Sequence, residues 1–234
     1  MKQSGNVLFL ILIAILLFAA LSYAITQSTR SNGDGANKEK IELITSRLFQ
    51  WFALADSTVQ RMRLVSNVPI DGFDFNVIGS GWYDKCSDSS CVFYDHRGGD
   101  MPKFDFRDEA FWLNGSGACT GYPSSYNEAE AHVVRIKNVG HDDLGDVVLY
   151  RDCVSLEVCR AFNRKVGLGN VIPLDSGNER SQYNFVGGPE FPEPSGTGII
   201  GDTATELAGK KSFCFFDGSH GGQRTVLIHT IIER

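Results

Sequence analysis

The chain has 234 residues, 42% of them hydrophobic, with a formal net charge of −6 and six cysteines. That length serves one globular domain beside a short terminal segment, and the average apolar share suffices for a core. The mild acidity, without a basic stripe, excludes nucleic acid as an expected partner.

The chain opens MKQSGNVLFLILIAILLFAALSYA, where Val7 to Ala24 carry no charge and only Ser22 and Tyr23 are polar. A helix of this run reaches roughly 27 Å, near the thickness of a hydrocarbon core. Being apolar all round, it predicts a transmembrane helix over 6–24. Residues 25–37, ITQSTRSNGDGAN, are small and polar, and Asn32-Gly33 and Asp34-Gly35 are turn signals, so a flexible linker is expected there.

Next, Ile41, Ile44, Leu48, Phe52, Ala55, Val59 and Met62 recur at steps of three and four. That spacing predicts an amphipathic helix over 38–65, with Trp51 and Leu54 widening its apolar face. Lys40, Arg47, Asp56 and Arg61 fall on the wet side. A stripe this wide calls for a sheet beneath it.

Pro69, Asp71 and Gly72 end the helical pattern and open a domain over 66–234. Strand-like runs follow: FDFNVI, CVFYDH, AHVVRIKNV and DVVLYRD. Near the end, Ser212–Phe216 and Arg224–Ile232 flank a glycine-rich connector and predict an antiparallel hairpin. In SLEVCRAFNRKVGLG, Ser155 caps a short helix that Gly167 or Gly169 stops. GGPEFPEPSGTGIIGD is too polar and broken for regular structure. The expected class is α+β, a long N-terminal helix packed on an antiparallel sheet and stapled by disulfides.

Cys86, Cys91, Cys119, Cys153, Cys159 and Cys214 make an even set behind a hydrophobic N-terminus, the pattern of disulfides formed in an oxidising compartment. Sequence proximity favours Cys86–Cys91 and Cys153–Cys159, leaving Cys119–Cys214 as the long staple. Zinc is the rival, but C-x4-C and C-x5-C are looser than finger spacing and no histidine pair completes them. Lys2 on one side and Arg30, Lys38 and Lys40 on the other leave the positive-inside rule undecided. The cysteines therefore place the domain outside the cytoplasm.

Little in the chain points to catalysis, and an enzyme is not expected. Neither a Walker A loop, an H-E-x-x-H pair nor a G-x-S-x-G elbow is present. Of His96, His132, His141, His220 and His229, the last alternates with Leu227 and Ile231 and reads as a hydrogen-bonded core histidine. Asp142, Asp143 and Asp146 lie close enough to begin a calcium site, although an acidic turn is the simpler reading. No other cofactor is expected. Asn114-Gly115-Ser116 matches the N-glycosylation pattern.

This layout resembles type IV pilins and the pseudopilins of type II secretion. In those families a short basic leader ends in glycine, an apolar helix continues into an amphipathic half, and a disulfide-containing sheet follows. The resemblance implies a leader over 1–5, cleavage between Gly5 and Asn6 by a prepilin peptidase, and filament partners that contact the N-terminal helix. It implies an inner-membrane precursor whose domain lies in the periplasm, or at the cell surface once assembled. The chain departs from the family at Asn6, usually phenylalanine, and at Leu10, usually a glutamate that neutralises a neighbour's amino terminus. The second departure argues for a minor or tip subunit over a major one.

Two other routes fit the same opening. Ser22-Tyr23-Ala24 matches a signal-peptidase site, whose product would be a soluble exported binding domain beginning at Ile25. Left uncut, the helix would be a single-pass anchor for such a domain.

Overall fold

In the computed structural model the described residues are 5–30, 32–75, 86, 88–106, 119, 130–141, 144–176, 198–218 and 224–234. The chain divides into two compact units, Met1–Glu42 and Leu43–Arg234.

Helix α1 spans Gly5–Arg30 and α2 spans Asn32–Val65. Residues 25–30 and 32–37 are thus helical where a flexible linker was expected. Each glycine in a helix costs only about 1 kcal/mol relative to alanine. The residues after Gly35, among them Ala36, Lys38, Glu39 and Lys40, are strong helix formers that offset this. Among the described residues no helix is long and apolar enough to cross a membrane. The unbroken run of described side chains in α1 is 11–20, so the expected span 6–24 lies partly outside them.

In the second unit, α2 buries Ile44, Leu48, Trp51, Phe52, Ala55, Val59 and Met62, the stripe expected from the spacing. Leu54 departs from it and is 44% exposed. The Trp51 indole N–H donates to the Pro102 carbonyl at 2.6 Å, and the Arg61 guanidinium donates to the carbonyls of Gly98 and Gly99. Segment 98–102 is thereby strapped along the helix. At the end of α2, Asn67 takes a left-handed φ of 52° and the Val68 N–H returns to the Met62 carbonyl. Asparagine tolerates that conformation better than most residues.

Among the described residues the sheet has five strands: β1 (Glu130–Val134), β2 (Asp146–Asp152), β3 (Leu174–Asp175), β4 (Ser212–Asp217) and β5 (Arg224–Ile232). Their spatial order is β1-β2-β5-β4-β3. Every neighbouring pair is antiparallel except β3–β4, so the sheet is mixed, not purely antiparallel. The strand at fault is two residues long and carries no pattern from which a direction follows. The described parts of FDFNVI and CVFYDH, residues 73–75 and 91–96, meet in an isolated parallel bridge, Asp74 to Val92, while residues 76–78 lie outside the described residues. Turns through Gly98 and Gly99 take up the second run, and the carbonyls of Val92 and Phe93 sit where a Cβ on those glycines would point.

Helix α3 (Leu156–Lys165) starts where expected, with the Ser155 hydroxyl accepting from the Val158 N–H at 3.3 Å. Acidic Glu157 in its first turn and basic Arg164 and Lys165 in its last suit the helix dipole. Its Asn163 is fully buried; the amide donates to the Cys214 carbonyl and accepts from the Cys214 N–H, both at 2.8 Å. The opposite sheet face carries Val148, Tyr150, Phe213, Phe215, Val226 and Ile228, which pack with Ile200, Ala204 and Leu207. Asp175 holds that covering segment by accepting from the N–H groups of Gly201 and Ala204 at 3.1 and 2.9 Å.

The disulfides are Cys86–Cys91, Cys119–Cys153 and Cys159–Cys214, with Cα separations of 5.6, 5.7 and 5.3 Å. The first was expected. The other two correct the proximity argument. Cys159 lies on the buried face of α3, which packs against β4, so it meets Cys214 and leaves Cys153, just past β2, for Cys119.

Candidate functional site

The expected site residues scatter. Gly5 and Asn6 begin α1, and the rest of the leader lies outside the described residues, as do Asp142, Asp143, Asn114 and His220. Asp146 is buried at the start of β2, and its Oδ1 accepts from the Arg234 N–H at 3.0 Å. Among the described residues no group of three acidic, histidine or cysteine side chains is placed to hold a metal ion.

Two features stand out. In the first unit, Phe9, Ile11, Leu12, Ile15, Leu16 and Phe18 of α1 are 53% to 73% exposed. At about 100° per residue these positions, together with Ile13 at 37% and Leu17 at 66% exposed, point to every side of the helix. Exposed apolar surface of this extent marks contact with another protein or with lipid.

In the second unit, His229 joins three elements. Its Nε2 lies 3.0 Å from Asp56 Oδ1 on α2 and its Nδ1 lies 2.6 Å from Ser212 Oγ on β4, while its ring stacks on Phe52 with centroids 4.3 Å apart. The core-histidine reading holds: the residue is 7% exposed and satisfied at both nitrogens. A carboxylate can only accept, so in the neutral ring Nε2 carries the proton and Nδ1 accepts from the serine hydroxyl. Register explains the contact. Thr230 donates its N–H to the Lys211 carbonyl, so Ser212 and His229 face each other as the adjacent non-hydrogen-bonded pair, where side chains approach most closely.

Neither Asp56 nor Ser212 was singled out from the sequence. Asp56 was placed on the wet side of its helix, and its side chain is 43% exposed even while it bonds the histidine. The hairpin was legible but its register was not, because the glycine-rich connector does not dictate the pairing. A further buried group lies on the opposite sheet face, where the Arg224 guanidinium bonds Asp217 Oδ2 at 2.9 and 3.0 Å and reaches Asp152 at 3.5 Å. Burial alone would lower the Arg224 pKa, but Tyr150, Asp217 and Asp152 outweigh it and the value is raised.

No family model, no curated protein and no solved structure matches this chain.

Proposed function

We propose that the chain is a structural, minor or tip subunit of a type IV pilus-like or type II secretion pseudopilus-like filament. Before assembly the N-terminal helix holds it in the inner membrane with the disulfide-bonded domain on the periplasmic side. The observation that carries this reading is the all-round apolar exposure of α1 at Phe9 and from Ile11 to Phe18. Such a rod is stable in lipid or within a bundle of like helices. Because both surroundings are apolar, packing at small residues such as Ala14, Ala19 and Ala20 decides between them. Three disulfides outside the helix fit an oxidising compartment. The role in assembly is mechanical, and the partners are other subunits and a prepilin peptidase.

Co-expression with a prepilin peptidase tests the reading. Intact mass is expected to fall by residues 1–5, and Gly5→Leu is expected to block the cut. A chain that keeps its full mass beside an active peptidase, or one cut equally well with Leu at position 5, would contradict it.

A further inference from the structure

Beyond the assembly role, we propose that Ser212 is an activated nucleophile, with His229 as its base and Asp56 as the residue that positions the base, able to take an acyl group from a small carboxylic ester. The geometry has the two bonds this chemistry needs, hydroxyl to ring nitrogen at 2.6 Å and the opposite ring nitrogen to carboxylate at 3.0 Å. Asp56 keeps the proton on Nε2, which leaves Nδ1 free to receive the serine proton. The Phe52 stack fixes the ring plane.

The backbone adds an oxyanion donor. On β4 the even-numbered N–H groups point away from β5: Cys214 donates to the Asn163 side chain, Phe216 to the Pro173 carbonyl and Gly218 to the Asp175 carbonyl. The Ser212 N–H is next in this row and lies beyond β3, which among the described residues pairs β4 at Phe216 and Asp217. A nucleophile's own N–H is one of the donors in serine proteases. Access is narrow, since His229 is 7% exposed and Ser212 half-buried, which restricts the acyl group to a short chain.

In the step, Ser212 Oγ bonds the ester carbonyl carbon as its proton passes to His229 Nδ1, and the oxyanion faces the Ser212 N–H. Collapse breaks the ester C–O bond, and the leaving alkoxide takes the proton from Nδ1. Water attacks the acyl-serine in the same way and releases the acid.

The test uses the full chain in detergent with a fluorophosphonate probe and 4-nitrophenyl acetate, with the adduct located by tandem mass spectrometry. Ser212 is expected to be labelled first and Ser212→Ala to lose the adduct. His229→Gln should slow labelling by about 10²-fold or more. Asp56→Asn should slow it similarly and alter its pH profile, with rate restored in Asp56→Glu. Circular dichroism on each variant separates lost reactivity from lost fold. A folded wild-type chain that takes no label at Ser212, or a folded His229→Gln labelled at the wild-type rate, would overturn the proposal.

Discussion

Single side chains here carry their charge in two different settings. On the surface, the Arg97 side chain and its N–H donate to Asp95 and hold that carboxyl at about 2, down from 3.8. A carboxylate with a lowered folded pKa stabilises the fold fully above its unfolded value. That contribution is lost as pH falls from about 3.8 through about 2. Arg97→Gln should therefore move the Asp95 midpoint back toward the ordinary carboxylate range, which a carbon-detected NMR titration reads directly. In the core, Asp217 is fully buried and its Oδ2 takes two bonds from Arg224. Asp217→Ala should cost about 3–5 kcal/mol in urea unfolding, because it strands a buried cation. A loss below about 1 kcal/mol would show that the pair is solvated in practice.

At the scale of elements, legibility followed periodicity and capping. The stripe of α2, the cap of α3 and the two strands of the hairpin were all read from local pattern, because each is decided by neighbours two to four residues away. Ser155→Ala should cost about 1 kcal/mol, measured by thermal unfolding. What was not legible depends on contacts distant in sequence. The direction of β3, the register of Ser212 on His229 and the pairing of Cys159 with Cys214 follow from how β3 pairs β4, how β4 pairs β5 and how α3 lies on β4, and no local pattern records those contacts. The helical run through Asn32–Gly35 was missed for the opposite reason: turn chemistry was weighed above the helix formers that follow. Peptide mapping without reductant should recover the three observed links and no Cys153–Cys159 peptide. Removing Cys159 and Cys214 together should cost about 2–4 kcal/mol.

For the molecule as a whole, an apolar rod and a cysteine-stapled α+β domain answer different needs. The domain buries its own apolar surface, with α2 and α3 on one side of the sheet and the Ile200–Leu207 segment on the other. The rod leaves its surface open at Phe9 and along Ile11–Phe18. The filament reading depends on that rod staying attached to the mature chain after the leader is gone. N-terminal sequencing and intact mass of the protein from native envelopes test this most directly. The account predicts a membrane-associated chain that begins at Asn6; one that begins at Ile25 and is recovered in the soluble fraction would contradict it.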